Sequence, residues 1–372
     1  VSEVLAFVED PGAANCLVPL LPALAGRGIG ARVFARGAAL PYLAERGVAA
    51  EAGDAQAALG AARLVLVGTS EDPDTPAFAL IRAARRAGVP SAGLVDQAGN
   101  AEWRFRGRTD DPLAHAPDWL LLPDAAARSA FLGLGFPAAR ALPVGHPHFD
   151  VVRARGRELA AMDRVALRRG LFPGADADRP LVTFLAERSE GLGGDRFRAG
   201  AGYGFAGSGE QDGRTEIVME EVAAAARSLS PDAFLLLRLH PKTPAAEFGG
   251  LVGLFDAVSA GGDPLALVHA ADLVVGMTSM LLLEAALLDR PTLSVLPRAE
   301  EAAWLPSTAA GLTPVATTRA ALRALWPRAL AGALRPERAR VLDAFPEGGT
   351  RHAADAVSAL LAGRNPRTEE AP

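Results

Sequence analysis

The sequence predicts an α/β protein made of two Rossmann-like, doubly wound domains. Three observations predict it. Short apolar runs rich in β-branched and aromatic residues alternate with helical segments, the pattern of parallel strands joined by crossover helices. The alternation pauses once, near residue 150, and then restarts. The length of 372 residues, 50% of them hydrophobic, suits two domains with buried cores.

The elements follow in order. EVLAFV (3–8) is a first strand, and Glu9-Asp10-Pro11-Gly12 a turn. Ala13 to Gly26 is a helix, because Leu17, Leu20, Leu21 and Leu24 recur at helical spacing; Gly26 and Gly28 stop it. Strands are expected at 31–35, 64–67, 91–95, 119–122 and 141–144, with helices at 78–87 and 125–133. Residues 153–170 are charged and helical in pattern, and read as a linker. Strands are then expected at 181–186, 234–239, 273–275 and 292–296, with helices at 216–228 and 281–288. The expected division is therefore an N-terminal domain (1–152), a linker (153–170), a C-terminal domain (171–345), and a terminal helix with a frayed tail (346–372). There is no short-period repeat. The glycine-rich segment Ser189 to Gly213 is a surface loop or a lid over a cleft between the domains.

Composition excludes several classes. The net charge of −5 argues against an electrostatic nucleic-acid binder. No apolar run is long enough to span a bilayer, and no signal peptide is read. The single cysteine, Cys16, excludes an internal disulfide and a cysteine-rich metal site, and suits a cytoplasmic location. Of 38 basic residues only Lys242 is a lysine.

Ligands of parallel α/β sheets bind beyond the carboxyl ends of the strands, so the residues there are the candidates. After the first strand stand Glu9, Asp10, Gly12 and Asn15. Asp10 or Glu9 suits a general base, while Asp10 or Asn15 equally suits a helix cap. Thr69 to Asp72 read as loop and capping residues or as acceptor-side contacts. Asp96 to Asn100, with Trp103, Arg104 and Phe105, offer a polar-acceptor surface or a simple turn. Gly145-His146-Pro147-His148-Phe149-Asp150 reads as a hinge; two histidines and an aspartate without a third histidine make a weak metal motif. Arg238, His240 and Lys242 emerge from an apolar strand where a phosphate would sit. Last, Gly276-Met277-Thr278-Ser279 brings hydroxyls and backbone N–H groups to a helix start, a phosphate-binding arrangement without a Walker lysine. Glu284, in the apolar helix that follows, is costly to bury alone and would suit a ribose diol. The alternative is that Ser279 only caps the helix and Glu284 meets an arginine.

Two α/β halves, His240-Pro241 after a strand of the second, and Asp272-x-x-x-Gly276-x-Thr278-Ser279 followed by Glu284-Ala285 together resemble the GT-B glycosyltransferase superfamily. The neighbouring branches are UDP-N-acetylglucosamine 2-epimerases, teichoic-acid-type CDP-glycerol glycerophosphotransferases and surface-polysaccharide glycosyltransferases. The resemblance implies a nucleotide diphosphate-sugar donor in the C-terminal domain. His240, Lys242, Gly276, Thr278 and Ser279 would hold its phosphates, and Glu284 its ribose. The N-terminal domain would bind a saccharide or small-molecule acceptor through Glu9, Asn15, Asn100 and His146. Asp10, then Asp96, would be the base, with His240 assisting at the phosphates. No metal or cofactor is implied beyond the donor as co-substrate, and a homodimer stays open. The epimerase Glu-Ala-Gly turn has Asp96-Gln97-Ala98-Gly99 as its counterpart, and its Ser-Gly-Gly turn is here Ser279-Met280-Leu281. The first-loop histidine motif is missing. These departures put sugar transfer ahead of epimerisation, glycerophosphotransfer and non-catalytic binding.

Overall fold

A computed structural model describes residues 2–173, 176–187, 198–200, 202–240 and 243–366. The chain divides into two compact units: Val1–Val151 with Leu342–Pro372, and Val152–Val341.

The first unit contains β1 (Ser2–Val8), α1 (Pro11–Ala25), β2 (Gly30–Ala35), α2 (Ala39–Glu45), β3 (Leu64–Gly68), α3 (Pro76–Ala87), β4 (Ser91–Leu94), β5 (Trp119–Leu122), α4 (Ala125–Gly133) and β6 (Ala141–Pro143). Every strand pair is parallel, in the order β2-β1-β3-β4-β5-β6. The period-2 alternation of β1 explains its two-sided burial. Val4, Ala6 and Val8 face a core with Leu17, Leu20 and Leu24 of α1, while Leu5 and Phe7 face Leu80, Ile81 and Ala84 of α3. Pro11 opens α1, where its missing N–H costs nothing, and Gly88 ends α3 in the left-handed region (φ 69°).

The helix α5 (Pro147–Ala160) carries the chain from the first unit into the second, where α6 (Arg164–Leu171) follows. The residues 153–170 expected as a linker are these two helices, and they belong to the second unit. Two of the three arginines of α6 are held within this unit: Arg164 and Arg168 pair with Asp272 at 2.9 and 2.6 Å.

The second unit contains β7 (Leu181–Leu185), α7 (Arg214–Leu229), β8 (Phe234–Arg238), β9 (Ala257–Ser259), α8 (Pro264–Ala270), β10 (Leu273–Gly276), α9 (Met280–Leu287), β11 (Thr292–Val295), α10 (Pro306–Ala309), β12 (Val315–Ala316) and α11 (Arg319–Leu330). Its sheet is also parallel, in the order β12-β11-β10-β7-β8-β9. After α12 (Arg338–Ala344), the last helix α13 (Gly349–Leu361) packs Ala353, Ala354, Val357 and Leu360 into the α1-side core of the first unit. Asp150 caps α13, accepting the N–H groups of Gly348 and Thr350 at 2.8 Å each. The aspartate of the His146–Asp150 segment thus holds a helix start.

Part of the segment read as a surface loop or a lid is packed structure. Gly204 donates its N–H to the Pro297 carbonyl at 2.7 Å, and Phe205 is buried in the second core. A Cβ at Gly204 would come within 1.9 Å of the Thr317 carbonyl oxygen. Residues 189–197 and Ala201 of that segment lie outside the described residues.

Candidate functional sites at two switch points

In each sheet the strand order reverses direction at one place, and the crevice beyond the strand ends there is where such folds bind ligands. In the first unit that place is between β1 and β3. In the second it is between β7 and β10.

At the first, Glu9 follows β1 directly and is buried. Burial raises its carboxyl above the usual glutamate range, against the opposing effect of the Thr75 and Ser70 hydroxyls and the Arg36 guanidinium. Arg36 lies 3.1 Å from Glu9 and also binds Asp72 at 2.9 Å. Asp10 stands at the N-cap of α1 in extended backbone (φ −105°, ψ 145°), and its side chain makes no capping hydrogen bond. Its carboxylate is therefore not spent on the helix, contrary to the capping alternative.

Asp96, just past β4, is held by a residue the strand-end reading had only as a surface group. Arg104 is 3% exposed and donates to Asp96 Oδ1 and to Thr69 Oγ1, both at 2.8 Å. The Gly99 carbonyl accepts from the same guanidinium. The other oxygen of Asp96 points at the first turn of α1, where a Cβ on Gly12 would stand 2.1 Å away. Only glycine lets this carboxylate lie against the helix start, where the helix dipole favours negative charge.

His146 lies behind Asp96, inside the unit. It is 5% exposed, its ring stacks on Phe149 (centroids 4.0 Å apart), and it hydrogen-bonds the Asp96 backbone. Its Nε2 is 3.6 Å from the Cys16 sulfur. Burial, then repulsion from His148, lowers its pKa to about 3, so it is neutral. Burial pushes the Cys16 thiol well up. The expected acceptor contacts Asn15 and Asn100 are engaged internally. Asn15 accepts the Tyr42 hydroxyl, and Asn100, in the left-handed region (φ 57°), donates to Glu71 at 2.8 Å.

At the second switch point β10 ends at Gly276, and Met277-Thr278-Ser279 lead into α9. Ser279 caps α9, its hydroxyl accepting the Leu281 N–H at 3.3 Å. Ser294 pins the turn by donating to the Met277 carbonyl at 2.6 Å. A Cβ at Gly276 would make only ordinary contacts, the nearest at 3.5 Å. Glu284 is buried on α9, 9% exposed. His240 lies beyond β8, which flanks β7 on the side away from β10. The two strand ends are thus two strand spacings apart, about 9–10 Å. Lys242 lies outside the described residues.

The sequence reading missed the ion network beside this turn. Arg214, the first residue of α7, is 1% exposed. Its Nε donates to Glu301 at 2.8 Å and one terminal nitrogen donates to Glu187 at 2.9 Å. Arg298 also donates to Glu301, at 2.7 Å, and both guanidiniums lie over the Trp304 ring. Glu187 in turn accepts both the backbone N–H and the hydroxyl of Thr278. Glu187 follows the first strand of the second unit, the counterpart of Glu9, so the strand-end rule could have found it. Arg214 and Glu301 carried no local signal.

Among the described residues no group of three or more His, Cys, Asp or Glu side chains could hold a metal ion, and no helix is long and apolar enough to cross a membrane.

No protein-family model and no curated protein matches the sequence. Solved structures do match the fold. A UDP-GlcNAc 2-epimerase from Neisseria meningitidis, bound to UDP-GlcNAc, aligns with a TM-score of 0.64 at 14% identity, over 96% of this chain and 99% of that one. MurG from Acinetobacter baumannii aligns with a TM-score of 0.53 at 14% identity, over 96% and 99%. The wall teichoic acid polymerase TagF, soaked with CDPG, aligns with a TM-score of 0.59 at 13% identity, over 97% and 89%. At these identities the likeness speaks to fold, and the chain has the GT-B-like α/β fold expected from its sequence.

Proposed function

We propose that the chain is an enzyme that transfers a sugar from a nucleotide diphosphate-sugar to a hydroxyl acceptor without a bound metal. The observation that carries this reading is the turn at the β7–β10 switch point. It brings Thr278 and Ser279 to the start of α9 beside the fully buried Arg214, with Glu284 buried on the same helix. In this reading the diphosphate lies at the α9 start, where N–H groups and hydroxyls oppose its charge as it leaves. Phosphate binding by His240 and Lys242, and ribose binding by Glu284, belong to the same proposal.

The acceptor side is the β1–β3 switch point. Asp10 is the base: its carboxylate makes no capping bond and takes the proton of the attacking hydroxyl. Asp96 is ion-paired with Arg104, which suits a hydrogen-bond acceptor that orients the sugar or acceptor better than a base.

A second reading, sugar-nucleotide 2-epimerisation, is favoured by Asp96 and the fold neighbours. The carboxylate stands in an Asp-Gln-Ala-Gly turn after β4, and neighbours called UDP-GlcNAc 2-epimerases align at TM-scores from 0.61 to 0.66. Product analysis separates the two. Epimerisation proceeds with the sugar nucleotide alone, whereas transfer consumes donor in proportion to added acceptor. Donor turnover to an isomer in the absence of acceptor would overturn the transferase reading.

A further inference from the structure

The two donors that Thr278 offers to an anion are already occupied. Its backbone N–H donates to Glu187 Oε1, and its hydroxyl donates to Oε2 at 2.8 Å. A carboxylate in that position has the charge and the paired acceptor oxygens of one face of a phosphate. Arg214 neutralises the same Oε2 from 2.9 Å.

The two glutamates of the network differ in how firmly they are held. Glu301 is fully buried and shared by Arg214 and Arg298, at 2.6 and 2.7 Å. The Glu187 side chain is 15% exposed and, among the described residues, pairs with one arginine, Arg214. The charges of Arg214, Arg298, Glu187 and Glu301 cancel. Without the Glu187 carboxylate, Arg214 and Arg298 are left with the buried Glu301 and, 3.9 Å from Arg298, the exposed Glu300.

We infer that Glu187 is an internal competitor for the donor diphosphate, and so sets the affinity of this site. This rests on the reading of the second unit as a nucleotide diphosphate site. A bound diphosphate displaces the carboxylate and takes the N–H and hydroxyl of Thr278. It also gains the guanidinium nitrogen that Glu187 releases, while Glu301 keeps Arg214 in place. When the diphosphate leaves, the carboxylate returns and closes the donors again. No covalent bond changes; one anion replaces another. Glu187 is thus a positioning residue, acting through Thr278 and Arg214.

The test is a titration of the full chain with UDP, CDP, GDP, TDP, ADP and inorganic pyrophosphate, in wild type, Glu187→Gln and Glu187→Ala. Glu187→Gln removes the charge and keeps an oxygen for the Thr278 N–H. Glu187→Asp, too short to span both donors, is an independent arm that keeps the charge. The diphosphate that binds wild type best should bind all three variants more tightly, by at least about tenfold for Gln and Ala. Glu301→Gln, which loosens Arg214, should weaken binding instead. Melting of each variant without ligand checks that it is folded. If wild type binds a diphosphate and the Glu187 variants bind it equally or more weakly, the competitor role is overturned and the nucleotide site stands. If no protein in the series binds any diphosphate, the nucleotide reading fails and this inference with it.

Discussion

Oδ2 of Asp96 lies where a Cβ on Gly12 would be, 2.1 Å from that position. Two residues far apart in sequence therefore lie against each other, the Asp96 side chain over the Gly12 backbone. Their meeting brings the end of β4 and the start of α1 together. Gly12→Ala must push the carboxylate away. Its expected effect is a fall in turnover of at least about tenfold. Diphosphate binding, placed in the other unit, should be unchanged. Steady-state kinetics beside a binding titration check this; unaltered turnover would remove Asp96 from the working site.

Asp10→Asn tests the base. Loss of a positioned base costs about 100-fold to 10,000-fold in rate. The expected outcome is a loss in that range with diphosphate affinity intact. Unchanged turnover would shift the role to Glu9, whose carboxyl burial holds above the usual range.

Arg214 is expected to dominate the stability of the second unit. It is 1% exposed, and Glu301 beside it is fully buried. Breaking such a pair leaves an uncompensated buried charge, which costs about 3–5 kcal/mol. Arg214→Ala should lower the denaturation midpoint accordingly. Arg214→Ala with Glu301→Gln should cost less than the sum of the two single changes, since the partners are coupled. Additive effects in chemical denaturation would contradict the network.

Acid should weaken the fold before the carboxylates titrate. His146, with pKa about 3, and His269, with pKa about 4, stay neutral in the folded protein, lowered chiefly by burial. In the unfolded chain each takes a proton near the ordinary histidine pKa of about 6.5. The unfolded state thus binds more protons below that pH. Their stabilisation is complete above about pH 6.5 and is lost progressively as pH falls towards 4 and 3, by up to about 1.4 kcal/mol per pH unit for each. Glu9 and Asp124 act in the opposite sense, because burial raises both. Comparing His269→Gln with wild type between pH 7 and 5 isolates the histidine part. The variant should lose less stability over that interval; parallel curves would contradict the assignment.

Much of the fold was legible because burial imposes its period on sequence. The leucines of α1 and the apolar runs of β1, β3, β7 and β10 mark themselves, since each packs against a core on at least one face. The short edge strands β9 and β12 did not, having three and two residues and little apolar pattern. The helix α11 does carry the spacing, in Leu322, Trp326 and Ala329. For the site, strand ends led to Glu9, Asp10, Asp96, Thr278 and Ser279. What they touch was not legible. Arg104 reaches Thr69 across 35 positions and Arg214 reaches Glu301 across 87, and no local pattern encodes such pairs. His146 looked like a polar group for an acceptor, but stacking on Phe149 turns it inward.

The central claim is that the turn after β10 and Glu284 hold a nucleotide diphosphate. A thermal-shift panel of UDP, CDP, GDP, TDP and ADP, with wild type and Glu284→Ala side by side, tests it most directly. A ligand that binds only the folded state must raise the melting temperature. One diphosphate is expected to stabilise wild type and to lose most of that effect in Glu284→Ala. No shift with any of the five, or an equal shift in the variant, would contradict the account.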